Sequence, residues 1–123
     1  MEKNIIIAGV GGQGILTIAT ILDLAAMHAG LNTKQAEVHG MSQRGGEVQT
    51  HLRISDGEIF SDLIPMGQTD LILSVEPLEA LRYLPYLKAN GAIVTSDEPF
   101  KNIPIYPVVS RFDILGSHIF RSF

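Results

Sequence analysis

Cysteine is missing from all 123 residues. That removes disulfides, a thiolate nucleophile and every Cys-ligated zinc or iron–sulfur cluster. One-electron chemistry in which this chain takes part must run on another chain or on a bound organic cofactor. Tryptophan is also absent, and the four histidines at positions 28, 39, 51 and 118 share no metal-ligand spacing, which argues against a zinc hydrolase. No apolar run reaches membrane-spanning length. Basic residues number 9 against 13 acidic ones, a net charge of −4, and nucleic-acid binding needs a basic face instead. Met1-Glu2-Lys3-Asn4 leads straight into an apolar run without the pattern of a secretory signal, so the expected compartment is the cytoplasm.

With 46% apolar and 18% charged residues, the composition is that of a globular protein, and the length allows one domain, residues 1–123. Residues Ile5 to Gly14 form an apolar run that ends in Gly9-Val10-Gly11-Gly12-Gln13-Gly14. Such a run reads as a buried strand, and its glycines allow a tight turn and close backbone approach to a ligand. Ile15, Ile18, Leu22, Ala25 or Ala26, and Ala29 then keep helical spacing. A helix start aimed at a glycine turn offers free N–H donors and a positive dipole end, which suits a phosphate. The plainer reading is that the glycines serve strand–helix packing.

Gly30 stops the helix, and Thr33 to Val38 form a second short strand. His39-Gly40-Met41-Ser42-Gln43-Arg44-Gly45-Gly46 is polar and glycine-rich. Val48, Thr50, Leu52 and Ile54 alternate with polar residues, the period of a half-buried strand. Asp56-Gly57 predicts a hairpin turn, with Glu58 to Leu63 returning antiparallel. Leu71 to Val75 is a third core strand. Pro77 opens a helix with Leu78, Leu81, Leu84 and Leu87 on one face, interrupted at Pro85. Asn90-Gly91 ends that segment before a strand from Ala92 to Thr95. Asn102 to Val109 suits an edge strand or extended loop, and Ser110 to Phe123 shows no clear period. The expected fold is α/β, three-layered and Rossmann-like, with a mainly parallel sheet and an inserted β-hairpin.

Ligands of such sheets bind beyond the carboxyl ends of the strands. That edge collects the Gly9–Gly14 turn, the His39–Gly46 segment, Ser74-Val75-Glu76 and Ser96-Asp97-Glu98. His39, Ser42, Gln43 and Arg44 supply donors, and Gly45-Gly46 can form a backbone nest for an anion. Arg44 could grip a phosphate or carboxylate bidentately, or cap a neighbouring carboxylate in a solvated turn. Glu37, 23 residues after Gly14, stands near the position of a ribose-binding acid, about 20 residues on, or pairs with Arg44. His39 is either a base or an orienting group, and Glu76 reads as a helix cap. No self-sufficient catalytic constellation emerges, so the chain reads as a binding module.

The residues that identify a family are Gly9 to Gly14 and Gln35-Ala36-Glu37-Val38-His39-Gly40-Met41-Ser42-Gln43-Arg44-Gly45-Gly46. Ser61-Asp62-Leu63-Ile64-Pro65 and Leu73 to Pro85 add to the pattern. Over about residues 4 to 100 the chain resembles the gamma subunit or domain of 2-oxoacid:ferredoxin oxidoreductases, and most of all the small (beta) subunit of the indolepyruvate type. The resemblance implies oxidative decarboxylation of a 2-oxoacid to an acyl-CoA, with electrons passed to ferredoxin. Thiamine diphosphate, magnesium and iron–sulfur clusters would lie on a large partner subunit, with coenzyme A as co-substrate. The site residues it implies are Gly9, Gly11, Gly12, Gln13, Gly14, His39, Ser42, Gln43, Arg44, Gly45 and Gly46.

Val109 to Phe123 departs from the family's pattern, in which further helices follow the region matching Phe100. A truncated, frameshifted or short variant would show such an end, with one sheet face left uncovered. Two other classes compete with the leading reading: a stand-alone NAD(P)-binding domain resting on the glycine loop and Glu37, and an assembly module whose glycines serve packing alone.

Overall fold

Three successive isoleucines, Ile5, Ile6 and Ile7, are accommodated because the first strand is covered on both faces. In the computed structural model, which describes residues 1–12, 14–39, 46–96 and 119–122, strand β1 (Glu2–Val10) is followed by helix α1 (Ile15–His28). Strands β2 (Asn32–His39), β3 (Glu47–Ser55) and β4 (Thr69–Ser74) come next. Helix α2 (Pro77–Arg82), a 3-10 turn (Leu84–Tyr86), β5 (Leu87–Thr95) and β6 (Ile119–Ser122) complete the described order. Ile7 packs with Ile15 and Ala19 of α1 and with Val48, while Ile6 and Ala8 pack with Ile72, Ile93, Ala80 and Tyr83 on the α2 side. The two helices therefore cover opposite faces, in three layers. Each buried isoleucine is worth about 1.5–3 kcal/mol.

Among the described residues the sheet has six strands in the order β2-β3-β1-β4-β5-β6. β1, β4, β5 and β6 pair in parallel, whereas β3 runs antiparallel to both β1 and β2. The sheet is thus mixed: the expected parallel pairing holds for β1, β4, β5 and β6, and the antiparallel part is the β2–β3 pair beside β1. The connection from β2 to β3 spans only residues 40–46, too short for a crossover, so those two strands must pair antiparallel.

The hairpin expected from Asp56-Gly57 is not formed. Both edges of β3 are already taken, by β1 and β2, so residues 58–63 find no free ladder. They cross the α2 face in irregular conformation instead. Arg53 Nη1 donates to the carbonyls of Ser61 (3.1 Å) and Leu63 (3.2 Å), and the Ile64 amide donates to His51 Nδ1 at 3.0 Å. Asp56 holds the N-terminal ammonium at 2.8 Å.

Two stop signals fared differently. Gly30 (φ 77°) closes α1 as expected: its amide donates to Met27 O and that of Leu31 to Ala26 O, both at 3.0 Å, the paired bonds of a Schellman end. Asn90-Gly91, by contrast, lies inside β5. A Cβ at Gly91 would stand 2.5 Å from Leu87 Cδ1 and 3.0 Å from Thr69 O. The glycine is there for close strand passage at the register shift between Thr69 and Leu71, not for a turn. Pro85 does interrupt the second helix, which ends at Arg82 before the 3-10 turn. The strand β6 falls where the sequence showed no period, and the expected segment from Asn102 to Val109 lies outside the described residues.

Candidate functional site

The carboxyl ends of β1, β4 and β5 share one edge, and the first element on it is the glycine turn. β1 continues through Val10, so Gly9 is a buried ladder residue opposite Val48, and the turn proper starts at Gly11. Gly12 (φ 94°) and Gly14 (φ 77°) occupy the left-handed region, where a side chain costs about 1–2 kcal/mol. A Cβ on either would meet no described atom within 4 Å. Among the described residues their conformation, not a close neighbour, is what requires glycine. Gln13 lies outside the described residues.

Helix α1 starts at that turn without a cap. Gly14 has no side chain to accept an amide, and no acid stands in the first turn. Ile18 N bonds Gly14 O at 3.1 Å. The earlier amides of a helix have no such intrahelical acceptor. They carry the positive end of the macrodipole, about half an elementary charge. Such an uncapped start offers free N–H donors of the kind that suit an anion.

The Gly11 amide donates to Gly46 O at 2.9 Å, so the ends of the two glycine-rich segments touch just beyond the Val10–Glu47 rung. His39 closes β2 on the rung His39–Val48–Gly9. Ser42, Gln43, Arg44 and Gly45 lie outside the described residues, as do Asp97 and Glu98.

At the end of β4, Ser74 Oγ donates to Glu76 O (2.6 Å) and accepts from Glu76 N (3.2 Å). Glu76 is 1% exposed, and its Oε2 accepts the Glu79 amide at 3.0 Å. It is the cap that its position before Pro77 suggested. Glu79 is buried as well, and burial raises its pKa despite the neighbouring Arg82. Arg82 Nε donates to Glu79 Oε2 at 3.1 Å and Nη2 to Oε1 at 3.3 Å, while Nε also stands 3.1 Å from Glu47 Oε2. The Glu79 hydrogen bond holds the Arg82 pKa above its usual value. The Tyr83 hydroxyl is buried with no partner among the described residues, and burial pushes it up to about 12. Among the described residues no three His, Asp or Glu side chains gather as a metal site.

Sequence reasoning missed Glu47, Glu79 and Arg82. The i,i+3 pair Glu79–Arg82 was open to it. The Glu47 contact was not, because it depends on β3 lying beside β1. The same insertion removes Glu37 from the dinucleotide role. In that fold β2 adjoins β1, whereas here β3 separates them, placing Glu37 about 10 Å from β1 with Gln35 Nε2 on its carboxylate at 3.0 Å.

Compared with known proteins, residues 4–118 match the family model described as pyruvate ferredoxin/flavodoxin oxidoreductase. Indolepyruvate oxidoreductase subunit IorB of Pyrococcus horikoshii is 48% identical over 104 residues, covering 85% of this chain and 51% of that protein. The chain spans about half the length of the curated relatives it matches. Among solved structures, the gamma subunit of keto/oxoacid ferredoxin oxidoreductase from Geobacter sulfurreducens aligns with TM-score 0.67 at 24% identity, over 98% of this chain and 60% of that one. A 2-oxoglutarate:ferredoxin oxidoreductase from Magnetococcus marinus, solved with 2-oxoglutarate, coenzyme A and succinyl-CoA bound, aligns with TM-score 0.75 at 19% identity. It covers 98% of this chain and 19% of that one.

Proposed function

Because the chain belongs to the pyruvate ferredoxin/flavodoxin oxidoreductase family, we propose that it is the gamma-type subunit of a ferredoxin-linked oxidoreductase for indolepyruvate or another aryl pyruvate. It acts in complex with a larger chain, in the cytoplasm. The iron–sulfur clusters sit on that partner, since this sequence has no cysteine to ligate one, and the family resemblance supports putting thiamine diphosphate and magnesium there with them. Thiamine diphosphate supplies the carbanion chemistry of decarboxylation. This chain binds and orients the coenzyme A that takes up the acyl group.

The observation that carries this reading is the open start of α1 with Gly46 drawn against Gly11. Backbone N–H groups in an uncapped first turn suit the phosphates of coenzyme A, and Arg44, two residues before Gly46 in the sequence, is the side chain whose charged fork would complete such a site. The coenzyme A bound in the Magnetococcus marinus enzyme supports the choice of ligand. The outer face of α1 supports the larger partner: Leu16, Ile21, Leu24 and Met27 are all exposed, an apolar patch suited to a protein interface. No described helix is long and apolar enough to cross a membrane.

The test is co-purification with a thiamine-binding large chain, followed by kinetics of the reconstituted complex. Arg44→Ala should raise the Michaelis constant for coenzyme A about ten- to a hundredfold, the worth of one charged hydrogen bond, and Arg44→Lys should recover little. Coenzyme A lacking its 3′-phosphate identifies the phosphate involved. An unchanged constant with weakened assembly would move Arg44 to the subunit interface.

A further inference from the structure

A half-exposed ion pair ordinarily contributes little, because water and side-chain entropy offset it. Arg82 differs from that case in what stands behind it. Glu79 keeps only 6% of its side chain accessible, and both of its oxygens are held by the guanidinium at 3.1 and 3.3 Å. A buried carboxylate stripped of its partner is expensive, so Arg82 is not free to swing away. Its Nε, whose one N–H goes to Glu79, also stands 3.1 Å from Glu47 Oε2 as an ion pair.

Glu47 is the first residue of β3, opposite Val10, and it follows Gly46. The Gly46 carbonyl accepts the Gly11 amide at 2.9 Å. The start of β3 is therefore gripped twice, by the glycine turn through its backbone and by α2 through its side chain. We propose that Arg82, fixed by Glu79, is a positioning residue: through Glu47 it holds Gly46 against Gly11, and so sets the relation between the two glycine-rich segments. The importance of that relation for ligand binding rests on the function proposed above, whereas the clasp itself does not.

The experiment is amide hydrogen exchange at Gly11 in the full chain, read by NMR against Ile6 and Ile72 as core references. Glu47→Gln is the primary variant, because it leaves the Glu79–Arg82 pair intact. It should speed Gly11 exchange about tenfold while the references hold. Arg82→Gln should speed it too, on top of a general rise from the stripped Glu79 carboxylate, Arg82→Lys should restore part of the protection, and the double variant Glu47→Gln/Arg82→Gln should match Arg82→Gln alone. Unchanged Gly11 exchange in Glu47→Gln overturns the inference, and so does an equal rise at all three amides. In the reconstituted complex, Glu47→Gln should raise the Michaelis constant for coenzyme A with little change in kcat. Faster Gly11 exchange with an unchanged constant keeps the clasp and counts against the coenzyme A reading.

Discussion

Two helices leave the same edge of the sheet, and their starts are finished in opposite ways. Helix α2 is closed by its own sequence: Glu76 accepts the Glu79 amide, Pro77 stands where no donor is needed, and Glu79 adds an acid to the first turn. Helix α1 begins from Gly14 in the left-handed region, with no side-chain cap and no acid in its first turn. The layers beneath differ in the same sense. Under α1 lie Ile7, Ile15, Ala19 and Val48 with the buried hydroxyl of Thr50, whereas the buried titratable groups of Tyr83, His51 and Glu79 lie on the α2 side. One start is stabilised from within, and the other is left open for a ligand from outside.

Removing the cap of α2 is the largest expected break in that contrast. Glu76→Ala orphans the Glu79 amide and empties a buried position, and should cost about 2 kcal/mol in chemical denaturation. Glu76→Gln keeps an acceptor and should recover most of it. An equally large loss in Glu76→Gln would mean that charge, not the hydrogen bond, closes the helix. Next comes Gly14→Ala, with an expected cost of about 1–2 kcal/mol for forcing an L side chain into the left-handed region. Gly14→Asn should cost less. Because a Cβ there meets no described atom, a larger loss would point to steric crowding by the ligand edge.

The contrast between the helices also marks what the sequence could disclose. Glu76 before Pro77, Gly30 after α1 and the break at Pro85 are local signals, each set by the conformational limits of one residue. The glycine turn was legible for the same reason, although β1 reaches through Gly9 and Val10. The place of β3 was not legible. Alternation from Val48 to Ile54 identifies a half-buried strand but names no neighbour, and Asp56-Gly57 signals a hairpin whichever edge is free. Only the finished sheet shows that both edges of β3 are occupied, that Glu47 therefore reaches Arg82, and that Glu37 stands away from the glycine turn.

The titratable layer sharpens the comparison through pH. His51 Nδ1 accepts the Ile64 amide, and its Nε2 lies 3.2 Å from Gln49 Oε1. Burial lowers its pKa below 6.5, against an opposing pull from Asp62. A protonated Nδ1 would present a donor to a donor. The unfolded chain thus binds the proton more readily, so the stability from a neutral His51 is complete above pH 6.5. It is lost as pH falls through the lower folded value, no faster than about 1.4 kcal/mol per pH unit. Glu79, with its raised pKa, acts in the opposite sense above 4.5, so the quantity to measure is the difference between wild type and His51→Asn. That difference should shrink on acidification. A constant difference from pH 7.5 to 5 would place the titration elsewhere.

The smallest expected effect is the most discriminating, because its two readouts should move in opposite directions. Thr17 is exposed in the first turn of α1, and Thr17→Glu gives that helix the kind of acid that α2 already has. If the start of α1 is merely unfinished, a carboxylate there improves it by about 0.3–1 kcal/mol, most visibly at low salt. If the same amides serve an anionic ligand, the new carboxylate competes for them and repels the phosphate. The variant should then be slightly more stable to denaturant and weaker for coenzyme A in the reconstituted complex, by a few-fold at most given that energy. Thr17→Gln, of similar size without the charge, should leave both quantities near wild type. Higher stability with unchanged coenzyme A binding would make the open start a packing feature, and the contrast between the two helices would carry no functional meaning.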